Sequence, residues 1–315
     1  MTLSRRIVAL AGAVLLLAGA SAKAAEPAAC HTVRFADVGW TDITATTALT
    51  SRILEGLGYK TRTDVLAVPV TYASMKNKDI DVFLGNWMPA MEGDRKPYVE
   101  DKSVEVLAAN LEGAKYTLAV PTYTYEAGLK SFADIAKFKD QLGGEIYGIE
   151  PGNDGNRLIL DMISGDKFKL GGFELVESSE QGMLAEVDRK TGAGQPIVFL
   201  GWEPHPMNAN FKLTYLSGGD EVFGPDFGGA IVATNTRKGY VAECPNQGKL
   251  LQNLVFSLPM ENEIMGAILN DGTDPTAAAK AWLAAHPDAW KPWLDGVTST
   301  DGKPAIVAVK AALAG

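Results

Sequence analysis

Three tryptophans share a local pattern that could do chemistry. Trp40 ends Phe35-Ala36-Asp37-Val38-Gly39-Trp40, Trp87 ends Phe83-Leu84-Gly85-Asn86-Trp87, and Trp202 ends Phe199-Leu200-Gly201-Trp202. Each follows a short apolar run by a few residues, with a glycine one or two positions before it. Open α/β sheets place their ligands at the carboxyl ends of strands, so three rings in that setting suggest one aromatic cleft. Such rings can stack on a sugar, or they can surround a quaternary ammonium group, which donates no conventional hydrogen bond and is held by cation–π attraction. Each desolvated contact of that kind contributes on the order of 1–2 kcal/mol. Trp282, Trp290 and Trp293 lack the pattern and read as packing residues of a helical tail.

The remaining candidates are weaker. There is no G-x-S-x-G elbow, H-E-x-x-H, P-loop or G-x-G-x-x-G after a strand. Pro151-Gly152-Asn153-Asp154-Gly155 sits between a strand and a helix, and its spacing alone reads as a turn with Asn153 as N-cap. His205, in Gly201-Trp202-Glu203-Pro204-His205-Pro206, reads as a structural loop histidine. Three scattered histidines leave little material for a metal centre, and no cofactor or metal is expected.

The elements that must position these residues alternate along the chain. Strand candidates lie at residues 33–36, 63–67, 80–84, 116–120, 146–149, 174–177, 197–200 and 228–233. Helices are expected near 42–57, opened by Thr41 or Asp42 and ended by Gly58, and near 70–78, 131–141, 153–164 and 179–191. Short apolar strands separated by helices imply an α/β fold with parallel sheets flanked by helices. After Thr236 the chain turns helical, with alanine-rich segments at 277–285 and 305–314. Two α/β sets without a flexible linker suggest two lobes joined by crossings near 111–116 and 215–223. That division gives lobe I over 25–114, lobe II over 115–216, and a return to lobe I over 217–315.

Residues 1–24 read as a signal peptide: Arg5 and Arg6, an apolar run over 7–18, and Ala22-Lys23-Ala24 as cleavage site. Cutting there removes three basic residues, so the formal charge of the 315-residue chain falls from −9 to −12. That acidity argues against nucleic acid. Hydrophobic residues at 46% against 21% charged suit a well-buried globular protein. Export to an oxidising compartment makes Cys30 and Cys244 read as a bridged pair, with two buried free thiols as the alternative.

Five segments together carry a resemblance. Ala36-Asp37-Val38-Gly39-Trp40-Thr41-Asp42, Leu84-Gly85-Asn86-Trp87-Met88-Pro89 and Gly113-Ala114-Lys115-Tyr116-Thr117-Leu118-Ala119-Val120-Pro121 resemble the glycine betaine/choline substrate-binding proteins of bacterial ABC importers. Ile149-Glu150-Pro151-Gly152-Asn153 and Gly201-Trp202-Glu203-Pro204-His205 extend the likeness over nearly the whole exported chain. The resemblance implies a type II-like periplasmic binding fold, two hinged lobes closing over one ligand. It implies that Trp40, Trp87, Tyr116 and Trp202 form a box around a trimethylammonium group, that Asp42 and Asn153 bind a choline hydroxyl, and that Cys30 and Cys244 are bridged. It further implies a monomer in the periplasm that delivers choline, and acetylcholine more weakly, to a membrane permease without catalysis. Glycine betaine is the alternative ligand of the same class. An exported hydrolase of a sugar or choline ester, with Asp42 and Glu203 as acid and base, is the alternative of a different class.

Overall fold

The computed structural model describes residues 27–314, so the expected signal peptide at 1–24 lies outside the described residues. Nine strands form one hydrogen-bonded sheet. They are β1 (Thr32–Asp37), β2 (Lys60–Val65), β3 (Val82–Met88), β4 (Val104–Pro121), β5 (Glu145–Tyr147), β6 (Glu174–Val176), β7 (Phe199–Glu203), β8 (Leu213–Tyr215) and β9 (Gly229–Arg237). Their order is β2-β1-β3-β9-β4-β7-β5-β6, with β8 paired to β4 off this path. The expected α/β class and its two-lobed form hold. One lobe is built on β2-β1-β3 and the other on β7-β5-β6, and β9 and β4 run between them.

The sheet is mixed rather than parallel. The outer pairs β1–β2, β1–β3, β5–β6 and β5–β7 are parallel, whereas β3–β9, β4–β9, β4–β7 and β4–β8 are antiparallel. The antiparallel centre comes from β4, an 18-residue strand of which only residues 116–120 were expected. Its first half pairs with β9 through three register shifts, between Val106 and Ala108, Ala109 and Leu111, and Leu111 and Ala114. Those irregularities break the period-two pattern that marks a strand in sequence. The expected crossing at 111–116 lies inside this strand, and the one at 215–223 lies between β8 and β9.

The main helices are α1 (Thr41–Gly56), α2 (Val68–Lys76), α3 (Glu92–Glu100), α4 (Asp154–Ser164), α5 (Glu180–Gly192), α6 (Pro245–Asn253), α7 (Leu258–Leu269), α8 (Pro275–Ala285) and α9 (Ala305–Ala314). The helix expected at 131–141 is broken into three short turns. Helix α4 is capped as its spacing suggests, with Asn153 Oδ1 accepting from the Asn156 N–H at 2.9 Å. Helix α1 is not: its N-cap is Trp40, which makes no side-chain capping bond, and Thr41 and Asp42 lie in the first turn. Among the described residues no helix is long and apolar enough to cross a membrane.

Two tryptophans sit differently from expectation. Trp87 and Trp202 lie within β3 and β7, not beyond them. The preceding glycines do not end the strands; they permit close approach. A Cβ on Gly85 would meet Ile43 Cδ1 of α1 at 2.8 Å, and one on Gly201 would meet Ala119 Cβ of β4 at 2.9 Å. The bridge between Cys30 and Cys244 is formed across 214 residues, tying the start of β1 to the beginning of α6. On the chain-entropy model a loop of that length stabilises by at most about 5 kcal/mol.

Candidate functional site

The folds around the two lobes bring the expected rings together. Gly39, at φ +83°, turns the chain out of β1 so that Trp40 and the first turn of α1 face the middle of the sheet. Trp87 comes from β3, Tyr116 from β4 and Trp202 from β7. These four rings, with Asp42 and Ile149, line one small pocket. The Trp87 and Tyr116 rings lie 6.0 Å apart at 57°, and Tyr116 and Trp202 lie 6.2 Å apart at 78°. Neither pair is stacked face to face.

Each wall is held at its rim. Trp40 Nε1 donates to Glu150 Oε1 at 2.8 Å, and Trp87 Nε1 donates to Asp42 Oδ2 at 3.0 Å. The Tyr116 hydroxyl donates to Asn153 Oδ1 at 3.0 Å. Gly155 makes that bond possible, since a Cβ there would lie 2.1 Å from the Tyr116 oxygen. Trp202 packs edge-on to the His205 ring at 4.9 Å.

The ionisable groups at the site are carboxyls. Asp42 is 2% exposed. Burial first, and the nearby Glu180 charge second, push its carboxyl up to about 8, against the opposing Trp87 bond. Its Oδ1 is buried without a hydrogen-bond partner. Such an orphaned acceptor costs free energy until something donates to it. Glu150 is likewise pushed up to about 7, mainly by burial. No lysine or arginine lines the pocket. A ligand carboxylate would therefore find no cationic partner, whereas a cation or a hydroxyl would find Asp42.

Five of the six expected ligand residues thus border one space, and one does not. Asn153 is absent from the lining and serves as helix cap and as acceptor for Tyr116. The acid/base pairing of Asp42 with Glu203 is not formed either. Glu203 does not line the pocket and faces Lys115 at 3.5 Å. Sequence reasoning missed Ile149, Glu150 and Glu180. The first two lie in a segment already singled out, at the end of a strand before Pro151. Glu180 carries no local signal, because its partner is 139 residues away.

Comparison with known proteins extends this picture. Residues 31–285 match the substrate binding domain of ABC-type glycine betaine transport systems. An ABC-transporter choline binding protein solved in complex with choline is 68% identical, covers 91% of this chain and 100% of its own, and superposes with a TM-score of 0.90. A choline binding protein in an unliganded, semi-closed conformation is also 68% identical, covering 90% of this chain and 99% of its own with a TM-score of 0.83. Lactococcal OpuAC, closed around glycine betaine, is 26% identical over 83% of this chain and 98% of its own, with a TM-score of 0.75. The chain belongs to the family of substrate-binding domains of ABC-type glycine betaine transport systems.

Proposed function

We propose that this chain captures choline between its two lobes in the periplasm and presents it to an importer's permease. One observation carries the reading: four aromatic side chains line a space together with Asp42, whose buried carboxylate oxygen Oδ1 has no hydrogen-bond partner. Trp40, Trp87, Tyr116 and Trp202 would surround the trimethylammonium group, and Asp42 would accept from the hydroxyl and balance the charge. Asn153, next to the Tyr116 hydroxyl, would join Asp42 in binding the ligand hydroxyl while it also fixes the Tyr116 ring. Glycine betaine fits less well, because its carboxylate would meet Asp42 without a compensating donor. Acetylcholine retains the cation but lacks the hydroxyl donor, so it should bind more weakly. The lobe divisions at 114/115 and 216/217, action as a monomer, and the absence of catalysis belong to the same proposal. Choline has seven heavy atoms, so the best achievable binding is roughly 10 kcal/mol.

Titration calorimetry of the exported chain with choline, acetylcholine and glycine betaine tests this, alongside incubation with choline esters. Stoichiometric binding in the order choline, acetylcholine, betaine is expected, with no ester turnover. Ester cleavage would favour the hydrolase instead.

A further inference from the structure

The polar contacts that span the pocket include one that no aromatic wall makes. Glu180 opens α5, between β6 and β7, at one end of the sheet. Thr41 opens α1, between β1 and β2, at the other end. Glu180 Oε2 accepts from the Thr41 backbone N–H at 2.8 Å, and its Oε1 accepts from the Thr41 hydroxyl. His205 Nε2 lies 3.3 Å from the same Oε1. The Met207 N–H donates to His205 Nδ1 at 2.9 Å, so in the neutral ring the proton is on Nε2, directed at Glu180. All three side chains are buried.

This bond does the work of a missing cap. The first N–H groups of a helix need acceptors, usually a side chain at the N-cap. Trp40 at that position supplies none, and Asp42 points to Trp87. The orphaned donor is satisfied only by a carboxylate from the opposite lobe. Thr41 also stands between two pocket-lining residues, Trp40 and Asp42, while His205 packs against a third, Trp202.

We infer that Glu180 is the closing clasp of the pocket: a positioning residue that never touches the ligand but locks the first turn of α1 to the opposite lobe, with His205 holding it against Trp202. The inference rests on the hinged choline-binding reading. When the lobes part, Thr41 and Glu180 both return to water, so the clasp stabilises the closed form and not the fold of either lobe. Its loss should therefore show as faster ligand escape, with little change in capture.

The test compares Glu180→Gln with Thr41→Val by stopped-flow binding of choline and by melting with and without choline. Gln keeps the shape but loses the charge-assisted acceptor, and choline should leave about tenfold faster while associating within about threefold of the parent rate. Glu180→Gln also relieves the charge pressing on Asp42. Thr41→Val leaves that charge in place and removes only the hydroxyl; it should still speed release by about threefold. The double variant should release choline no faster than Glu180→Gln alone, since both break one contact. Ligand-free melting should barely move, while the choline-induced rise shrinks. Unchanged release in both single variants, or equal losses in ligand-free and liganded melting, would overturn the clasp. Failure of the parent protein to bind choline would instead remove the underlying reading. Should Glu180→Gln not fold, Thr41→Val alone decides.

Discussion

The six tryptophans divide into two sets of nearly equal burial and different partners. In the tail, Trp290 Nε1 donates to the Leu283 carbonyl at 2.8 Å and Trp293 Nε1 to the Val255 carbonyl at 3.1 Å, while Trp282 meets Glu263 from the neighbouring helix. Trp293 packs edge-on to Phe256 within the buried core. Around the pocket, Trp40 and Trp87 give their N–H groups to carboxylates, half-buried Glu150 and buried Asp42, and line the pocket. Burial alone therefore does not separate a packing ring from a binding ring. The difference lies in which rings line a pocket, since Trp282 of the tail also gives its N–H to a carboxylate. A face left to a cavity, with a carboxylate beside it, is set up for a cation.

That contrast can be broken by mutation, the largest effect coming from the tail. Trp290→Ala opens a cavity in a filled core and should cost about 3–5 kcal/mol of stability, read from denaturant unfolding. Choline affinity of the protein that remains folded should be unchanged. Trp87→Ala or Trp202→Ala should do the reverse. Each removes one wall and admits water, weakening choline by about 1.5–3 kcal/mol, tenfold or more, with ligand-free melting nearly intact. If pocket and tail variants lose stability alike and neither loses affinity, the two sets are the same kind of residue.

Asp42→Asn sharpens the carboxylate half of the contrast. It keeps the shape but removes the charge, so choline should weaken by about 1.5 kcal/mol or more, roughly tenfold. Glycine betaine should be less harmed or even helped. Parallel titrations of both ligands give the ratio directly, and an equal loss of both would mark Asp42 as a helix-end or hinge residue.

The smallest effect is in pH. Burial and Glu180 hold the Asp42 carboxyl near 8 in the closed pocket. A bound cation favours the ionised form and so lowers that value, releasing a proton. Choline affinity should rise as pH climbs towards about 8 and level off above it, with a slope no greater than one proton. Titrations in buffers of different ionisation enthalpy would detect the proton, and Asp42→Asn should remove it.

How much of this was legible in the sequence varies with the range of the interaction. The glycine–tryptophan pattern located three walls, because apolar strands and local spacing carry that information. Yet it misplaced Trp87 and Trp202 beyond their strands, since Gly85 and Gly201 answer to close packing from α1 and β4 rather than to turns. The first half of β4 was hidden by its register shifts. Tyr116 and Asp42 entered only through the resemblance, as did the ligand contact expected of Asn153, whose local signal is that of a cap. Glu180 was invisible, because its role depends on a contact between the two ends of the sheet.

The central claim is that the aromatic pocket reads positive charge and not merely shape. The direct measurement is competitive binding of choline against its neutral carbon isostere, the dimethylbutanol in which carbon replaces the ammonium nitrogen. The two have the same size and the same hydroxyl, and differ in the charge that the rings and Asp42 would feel. Choline should bind at least about a hundredfold more tightly, as several cation–π contacts and one nearby carboxylate require. Affinities within about threefold of each other would mean that the pocket selects an apolar volume, and the cation-binding account would be wrong.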